Sequence, residues 1–217
     1  MSDQLKATLV EAMGSDLTVV NAARVTMGVE REELKESDTR LINFLARERH
    51  VSPFRHPQAS FRCEAPIAIA RQLQKHQVGF SWNEMSRRYK DGAVDIFIPK
   101  EIFSRPDDLH SGSGTLLEGE EEAKALALFN SAYEASLASY DELIKFIAPE
   151  QARFVLPQGM VTTWYWTGSL YGWFELCRQR LSEHAQYEVR LFAQTIDEEM
   201  AKIYPISWAA LKKTLEG

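Results

Sequence analysis

Ala59-Ser60-Phe61-Arg62-Cys63-Glu64 runs without a break into Ala65-Pro66-Ile67-Ala68-Ile69-Ala70-Arg71-Gln72. In the first six residues Ala, Phe and Cys alternate with Ser, Arg and Glu, the period-two pattern of a strand with one buried face. The pattern changes at Pro66. Proline suits the first position of a helix, where its missing N–H would have no partner anyway. A half-buried strand leading into a helix argues for a sheet covered by helices.

The flanking sequence extends this reading in both directions. Residues 5–12 are apolar-rich and read as a first strand. Ser15 or Asp16 caps a helix through Val19, Val20, Ala22 and Ala23 that ends near Gly28. Asp38 caps another, with Leu41, Ile42, Phe44 and Leu45 on one apolar face, and Ser52-Pro53 breaks it. Downstream, Val94, Ile96 and Ile98 alternate again and stop at Pro99. Residues 104–119, rich in Ser, Gly, Pro and Asp, read as a long loop that contains His110. Residues 120–147 carry the longest helical period, with Leu126, Phe129, Tyr133, Leu137, Tyr140 and Ile144 on one stripe. Pro149 opens a short helix carrying Arg153, and two more helices span roughly residues 169–181 and 182–204. No repeat or linker interrupts the chain. Residues 1–217 are therefore expected to form a single α+β domain, a small β-sheet flanked by several long helices.

A net charge of -6 argues against a partner that is a nucleic acid polymer, so any phosphate must meet a local cluster of cations. No apolar run approaches the ~20 residues needed to span a bilayer. Cys63 and Cys177 are the only cysteines, too few for a disulfide framework, and Met1-Ser-Asp-Gln-Leu5 lacks a signal-peptide pattern. The expectation is a cytoplasmic protein without a membrane partner. Both thiols read as packing residues, although charge near Cys177 would lower its pKa.

Polar groups concentrate in two places. From Arg71 to Tyr89, Arg71, Gln72, Lys75, His76, Asn83, Glu84, Ser86 and Arg88 crowd into nineteen residues. If the helix continues, Arg71 and Lys75 share one face, as do Gln72 and His76. Like charges at that spacing cost a helix about 0.2–0.5 kcal/mol, which an anionic ligand would offset. The second concentration, residues 178–190, places Arg180 at one helix end and His184 at the start of the next, with Ser182 as the cap. A helix N-terminus beside an arginine fork favours an anion. The two read as halves of one site. His50 and His56 flank a Ser-Pro-Phe turn with no acidic residue or thiol at ligand spacing, so no metal site is expected and both read as satisfied structural histidines.

These segments, in order, resemble the flavin-dependent thymidylate synthases (ThyX). The matching segments are residues 16–26, His50-Val-Ser-Pro-Phe-Arg-His56, Ala65-Pro-Ile with Arg71-Gln72, the signature itself, Leu156-Pro157, Tyr165-Trp-Thr167 and His184-Ala-Gln-Tyr-Glu188. The signature departs from the family's Arg-His-Arg-x7-Ser. It reads Lys75-His76-Gln77, with one extra residue near Gly79 before Ser86. Ser169 and Glu175 stand where many members have Asn, and Arg55 where some have Glu.

The resemblance implies a homotetramer that binds FAD and dUMP at sites shared between subunits. It implies NADPH as the reductant and methylenetetrahydrofolate as the carbon donor in making dTMP. It assigns Ser52, Lys75, His76, Gln77, Asn83, Glu84 and His184 to FAD. To dUMP it assigns Gln72, Lys75, Glu84, Ser86, Arg88, Arg153 and Arg180. Catalytic roles fall to Arg180, which would stabilise negative charge on the pyrimidine, and to Ser86, as a nucleotide contact rather than an attacking nucleophile. Two rival readings are a non-catalytic nucleotide-binding relative, with a flavin site spoiled at Gln77, and a metal-dependent nucleotide hydrolase using His50 and His56.

Overall fold

The alternation that begins at Ala59 becomes β2 (Gln58–Pro66), in a computed structural model that describes residues 4–89, 92–108 and 112–215. His110 lies outside the described residues. Beside β2 run β1 (Lys6–Met13), β3 (Phe80–Glu84) and β4 (Val161–Ser169), in the order β1-β2-β4-β3 with every neighbouring pair antiparallel. Register places Phe61 opposite Trp166 and Cys63 opposite Trp164, so two large aromatic rings of β4 lie beside the buried face of β2. Ala59, Phe61, Cys63 and Ala65 are buried, as the alternation requires.

The helices are α1 (Asp16–Arg24), α2 (Glu36–Arg47), α3 (Ile67–Leu73), α4 (Glu120–Leu143), α5 (Pro149–Ala152), α6 (Leu170–Arg180), α7 (Tyr187–Ile203) and α8 (Pro205–Lys213); α3, α6 and α7 pack on the strands, α2 packs on α8, and α4 packs on residues 153–155. α7 buries Val189, Phe192, Ala193, Ile196 and Met200, the i, i+3, i+4, i+7 stripe of a core-facing helix. Trp164, Trp166, Trp173 and Trp208 are all buried among these elements. Each fully buried aromatic contributes about 1.5–3 kcal/mol of transfer free energy.

Several expectations are corrected. Pro66 is the N-cap of α3 and also ends β2, rather than standing at the first helical position. α3 stops at Leu73, so Lys75 and His76 lie beyond it and the predicted like-charged helical face does not form. Asp38 is the third residue of α2, not its cap. Its buried carboxylate accepts the Lys35 N–H at 3.0 Å and the Arg24 guanidinium at 2.6 Å, which satisfies the helix start from inside. Phe44 is 44% exposed rather than on the apolar face.

Residues 94–98 make one bridge, Ile96 to Met160, instead of a strand, and bury Phe97 against the end of β4. Ser182 does not cap α7, which starts at Tyr187 after Gln186, so His184 sits in the preceding turn. Pro205 ends one helix and opens another, α8. On α4 only Tyr140 of the predicted stripe is buried, and the other five positions remain partly accessible.

Candidate active site

Phe80 locates the site. Its ring fills the space above Gly168 and Gly172, where a Cβ would come within 2.3 Å and 3.1 Å of it, and it meets Trp173 edge-on at 4.8 Å. No side chain fits at Gly168 while Phe80 stays where it is. This contact holds β3 against the β4–α6 junction. The chain from α3 must therefore turn sharply, and the Phe80 N–H bonds Gln77 O at 3.2 Å. Gly79 takes φ +76°, a conformation glycine adopts without steric cost.

On the other side, Ser169 caps α6 by accepting the Gly172 N–H at 3.2 Å. α6 then carries Glu175 and, at its last position, Arg180. A cavity of about 440 Å³ opens between this helix and the turn after α3, lined by Arg55, Lys75, His76, Gln77, Glu175 and Arg180 among others. Arg180 is its pivot. Nε donates to His76 Nε2 at 2.9 Å, and a second nitrogen reaches Gln72 O at 3.4 Å. Burial, and then the Arg180 charge, push the His76 pKa down to about 4. The ring is therefore neutral near pH 7, its Nε2 accepts, and the proton is assigned to Nδ1, a donor free for a ligand.

Glu175 is neutralised by Arg178, which bonds it through two nitrogens at 3.0 Å and 2.7 Å. Among the described residues neither Arg55 nor Lys75 has an ion-pair partner. The cavity thus presents excess positive charge.

A second cavity of about 330 Å³ joins Glu84 and Arg153, with Arg71 between α3 and the end of β4. The Glu84 carboxylate accepts Thr162 Oγ1 at 2.8 Å and Trp82 Nε1 at 3.3 Å. Asn83 and Glu84 also line an open polar cavity of about 550 Å³ over the sheet. Arg87 has a structural role: buried, it donates to Gly92 O and Ala93 O at 2.9 Å and 2.7 Å. Ser86 Oγ accepts Arg88 N and Nε, both at 3.3 Å, and the Arg88 guanidinium lies 4.8 Å from the Tyr89 ring centroid.

One protomer therefore brings together Gln72, Lys75, His76, Gln77 and Arg180, and separately Glu84 with Arg153. Ser52, at the start of a short 3-10 turn, and His184, with a 76% exposed side chain, line neither group. Arg71 and Thr162 enter the second cavity without having been expected there. Arg71 was visible as a charge, but no local pattern marks Thr162.

His50 and His56, read as satisfied structural histidines, are both exposed, with His50 5.9 Å from the Phe44 ring. Among the described residues no three His, Cys, Asp or Glu side chains converge to hold a metal ion. Cys63 and Cys177 are buried and unpaired. Burial, reinforced by Glu64 at Cys63 and by Asp197 at Cys177, raises both thiol pKa values, the reverse of the lowering expected at Cys177.

Comparison with known proteins bears on the family and the fold. The family model described as "Thymidylate synthase complementing protein" matches residues 8–206. A flavin-dependent thymidylate synthase of Thermus thermophilus is 36% identical over 96% of this chain and 76% of its own length. One from Treponema pallidum is 35% identical over 94% of this chain and 68% of its own. Among solved structures, the UMP/dUMP methylase PolB from Streptomyces cacaoi, bound with 5-Br dUMP, superposes with a TM-score of 0.86 at 29% identity. That match covers 96% of this chain and 94% of PolB. Neither rival reading, the non-catalytic relative or the metal-dependent hydrolase, is favoured by these matches. With a family model matched over residues 8–206 and relatives 35% and 36% identical over nearly the whole chain, the chain belongs to the flavin-dependent thymidylate synthase family.

Proposed function

We propose that this chain methylates dUMP to dTMP with FAD as cofactor, using Arg180 as the group that links the cofactor side of the site to the nucleotide side. The observation that carries the reading is the convergence of Lys75, neutral His76 and Arg180 on one cavity, with Gln72 bonded to the same arginine. That donor set fits FAD: unpaired cations suit a diphosphate, and a neutral imidazole N–H suits a ring acceptor. When bound, FAD supplies the hydride chemistry.

The protein's own groups bind, orient and polarise. Lys75, His76, Gln77, Asn83, Glu84, Ser52 and His184 hold the cofactor. Gln72, Lys75, Glu84, Ser86, Arg88 and Arg153 hold the nucleotide, with Arg88 and Arg153 on its phosphate. Arg180 places a fixed guanidinium against the pyrimidine and stabilises negative charge as carbon-5 becomes nucleophilic. Ser86 contacts the nucleotide and attacks nothing. Family membership supports methylenetetrahydrofolate as carbon donor and NADPH as reductant.

A homotetramer with shared sites is the assembly proposed. Its support is the division of these residues between cavities of one protomer. The exposed Leu128, Phe146 and Phe154, at 63%, 74% and 79%, also call for cover. We read residues 1–217 as one domain acting in the cytoplasm, in line with two unpaired buried thiols. Among the described residues no helix is long and apolar enough to cross a membrane.

The test is size-exclusion chromatography with a flavin absorbance trace, followed by a dTMP assay with dUMP, methylenetetrahydrofolate and NADPH. A yellow tetramer that forms dTMP is expected. A colourless monomer that stays inactive with added FAD would refute the reading.

A further inference from the structure

We infer that Arg55 supplies the FAD site with the guanidinium that Gln77 does not, so that the flavin-side cation of this chain comes from the turn before β2 instead of the signature. The inference rests on the FAD reading given above. Its starting point is a pair of departures that are far apart in sequence and meet in space. Gln77 is uncharged and Arg55 cationic, where the family pattern that the chain resembles has arginine and, in some members, glutamate. Both line the same cavity of about 440 Å³.

Arg55 is placed to act on a ligand. It ends the 3-10 turn Ser52–Arg55, which is anchored by buried Pro53 and Phe54, so its backbone is held while its side chain remains exposed. The guanidinium lies 5.7 Å from the Tyr171 ring centroid, an arrangement that orients a cation without neutralising it. The one carboxylate lining the cavity, Glu175, already receives two bonds from Arg178. Among the described residues no carboxylate stands within ion-pair distance of Arg55. An arginine held against an aromatic face at a cavity mouth, with its charge unspent, is suited to a planar or bidentate oxyanion. In a dinucleotide cofactor that group is the diphosphate.

Three consequences distinguish this from a generic surface charge. Removing Arg55 should weaken FAD more than it weakens dUMP, because the arginine lies away from the cavity holding Glu84 and Arg153, where the nucleotide phosphate is placed. The contact should be salt-sensitive. Above all, a guanidinium restored at position 77 should substitute for the one lost at position 55.

The experiment titrates apoprotein with FAD, following flavin fluorescence, for the wild type, Arg55→Gln, Gln77→Arg and the Arg55→Gln/Gln77→Arg double variant. dUMP affinity is measured in parallel. Arg55→Gln should weaken FAD by about 10- to 100-fold, the range for a hydrogen bond to a charged group, and change dUMP affinity by less than about threefold. The double variant should recover most of that loss, while Arg55→Lys should recover little. Because Arg55 is exposed, these variants are expected to fold, and circular dichroism checks this. Unchanged FAD affinity in Arg55→Gln, or a double variant no better than the single, overturns the inference. Failure of the wild type itself to bind FAD would instead overturn the proposed function.

Discussion

Replacing Arg180 with alanine removes two contacts at once, the 2.9 Å bond to His76 Nε2 and the 3.4 Å approach to Gln72 O. At pH 7.5 the loss of one partly exposed charged hydrogen bond should cost about 1 kcal/mol of stability, toward the low end of the usual range. The pH dependence carries more information. His76 has a native pKa of about 4 against an ordinary value of 6.5, through burial first and the Arg180 charge second. As pH falls from 6.5 toward 4, the unfolded chain takes up this proton before the native state does, so the wild type loses stability across that window. In full the shift would be worth ~3 kcal/mol, and about 1–2 kcal/mol once solvent screening of a half-buried ring is allowed for. Arg180→Ala removes the like charge and should raise the His76 midpoint toward 6.5. The stability gap between variant and wild type should then narrow as pH drops from 7.5 to 5. Denaturant unfolding at the two pH values and an NMR titration of His76 read both effects. In the same preparations dTMP formation should fall about 10²–10³-fold, the usual cost of losing one preorganised donor, with FAD still bound. A His76 midpoint that stays near 4 would remove Arg180 as a cause of its neutrality. Loss of FAD with dUMP affinity retained would assign the arginine to the cofactor.

Other perturbations test the frame around the site. Cys63→Ser/Cys177→Ser should leave dTMP formation within several-fold of wild type, because both thiols are buried with raised pKa values; an inactive but folded, FAD-bound double variant would restore a thiol nucleophile. Gly168→Ala drives a methyl group into Phe80 and should cost about 1–3 kcal/mol in thermal unfolding, with Phe80→Leu relieving part of it. Asp38→Asn leaves Arg24 and Arg31 facing a neutral group and should destabilise by about 2 kcal/mol at pH 7. Burial favours the protonated Asp38 carboxyl, yet bonds from Arg24 and Lys35 hold its pKa below the usual value. Its contribution is therefore present above that value and lost as pH falls through the lower native one, and Asp38→Asn should flatten the acid limb of the stability profile.

What the sequence made legible was local. The alternation that begins at Ala59, the Ser15 cap and the α7 stripe are each set by neighbours a few residues away. β4 escaped because Val161-Thr-Thr-Trp-Tyr-Trp-Thr167 buries residues from both faces near its start, which blurs the period-two signal that strong β-propensity would otherwise reinforce. α3 reads as longer than it is because its apolar start gives no hint that Phe80 must reach the two glycines. Its end is decided by a contact almost ninety residues downstream in the chain. Asp38 reads as a cap because acidic residues at the cap and at the third helical position both satisfy an amide at the helix start; here the carboxylate reaches back to the N–H of Lys35, the cap itself. The Arg180–His76 bond joins residues 104 positions apart; the two polar concentrations point to one shared site, but no local pattern pairs this arginine with this histidine.

The charge arrangement of the main cavity explains why those separated residues must coincide. A phosphate-bearing ligand needs excess cations, yet Glu175 sits on the lining and would repel it. The sequence resolves this within one helical turn, since Arg178 at i+3 binds that carboxylate through two nitrogens and spends its own charge there. Arg55, Lys75 and Arg180 then remain unopposed. Burial already disfavours a charged His76, and a charged imidazole beside Arg180 would also place two cations 2.9 Å apart, so the guanidinium that serves the ligand adds to the burial that keeps His76 neutral. Neutrality in turn gives His76 both a filled acceptor toward the protein and a free N–H toward the cavity. Each group therefore sets the chemical state of the next, from Glu175 outward, and a lysine at position 180 would preserve the charge but lose the fixed fork that reaches His76 and Gln72 together.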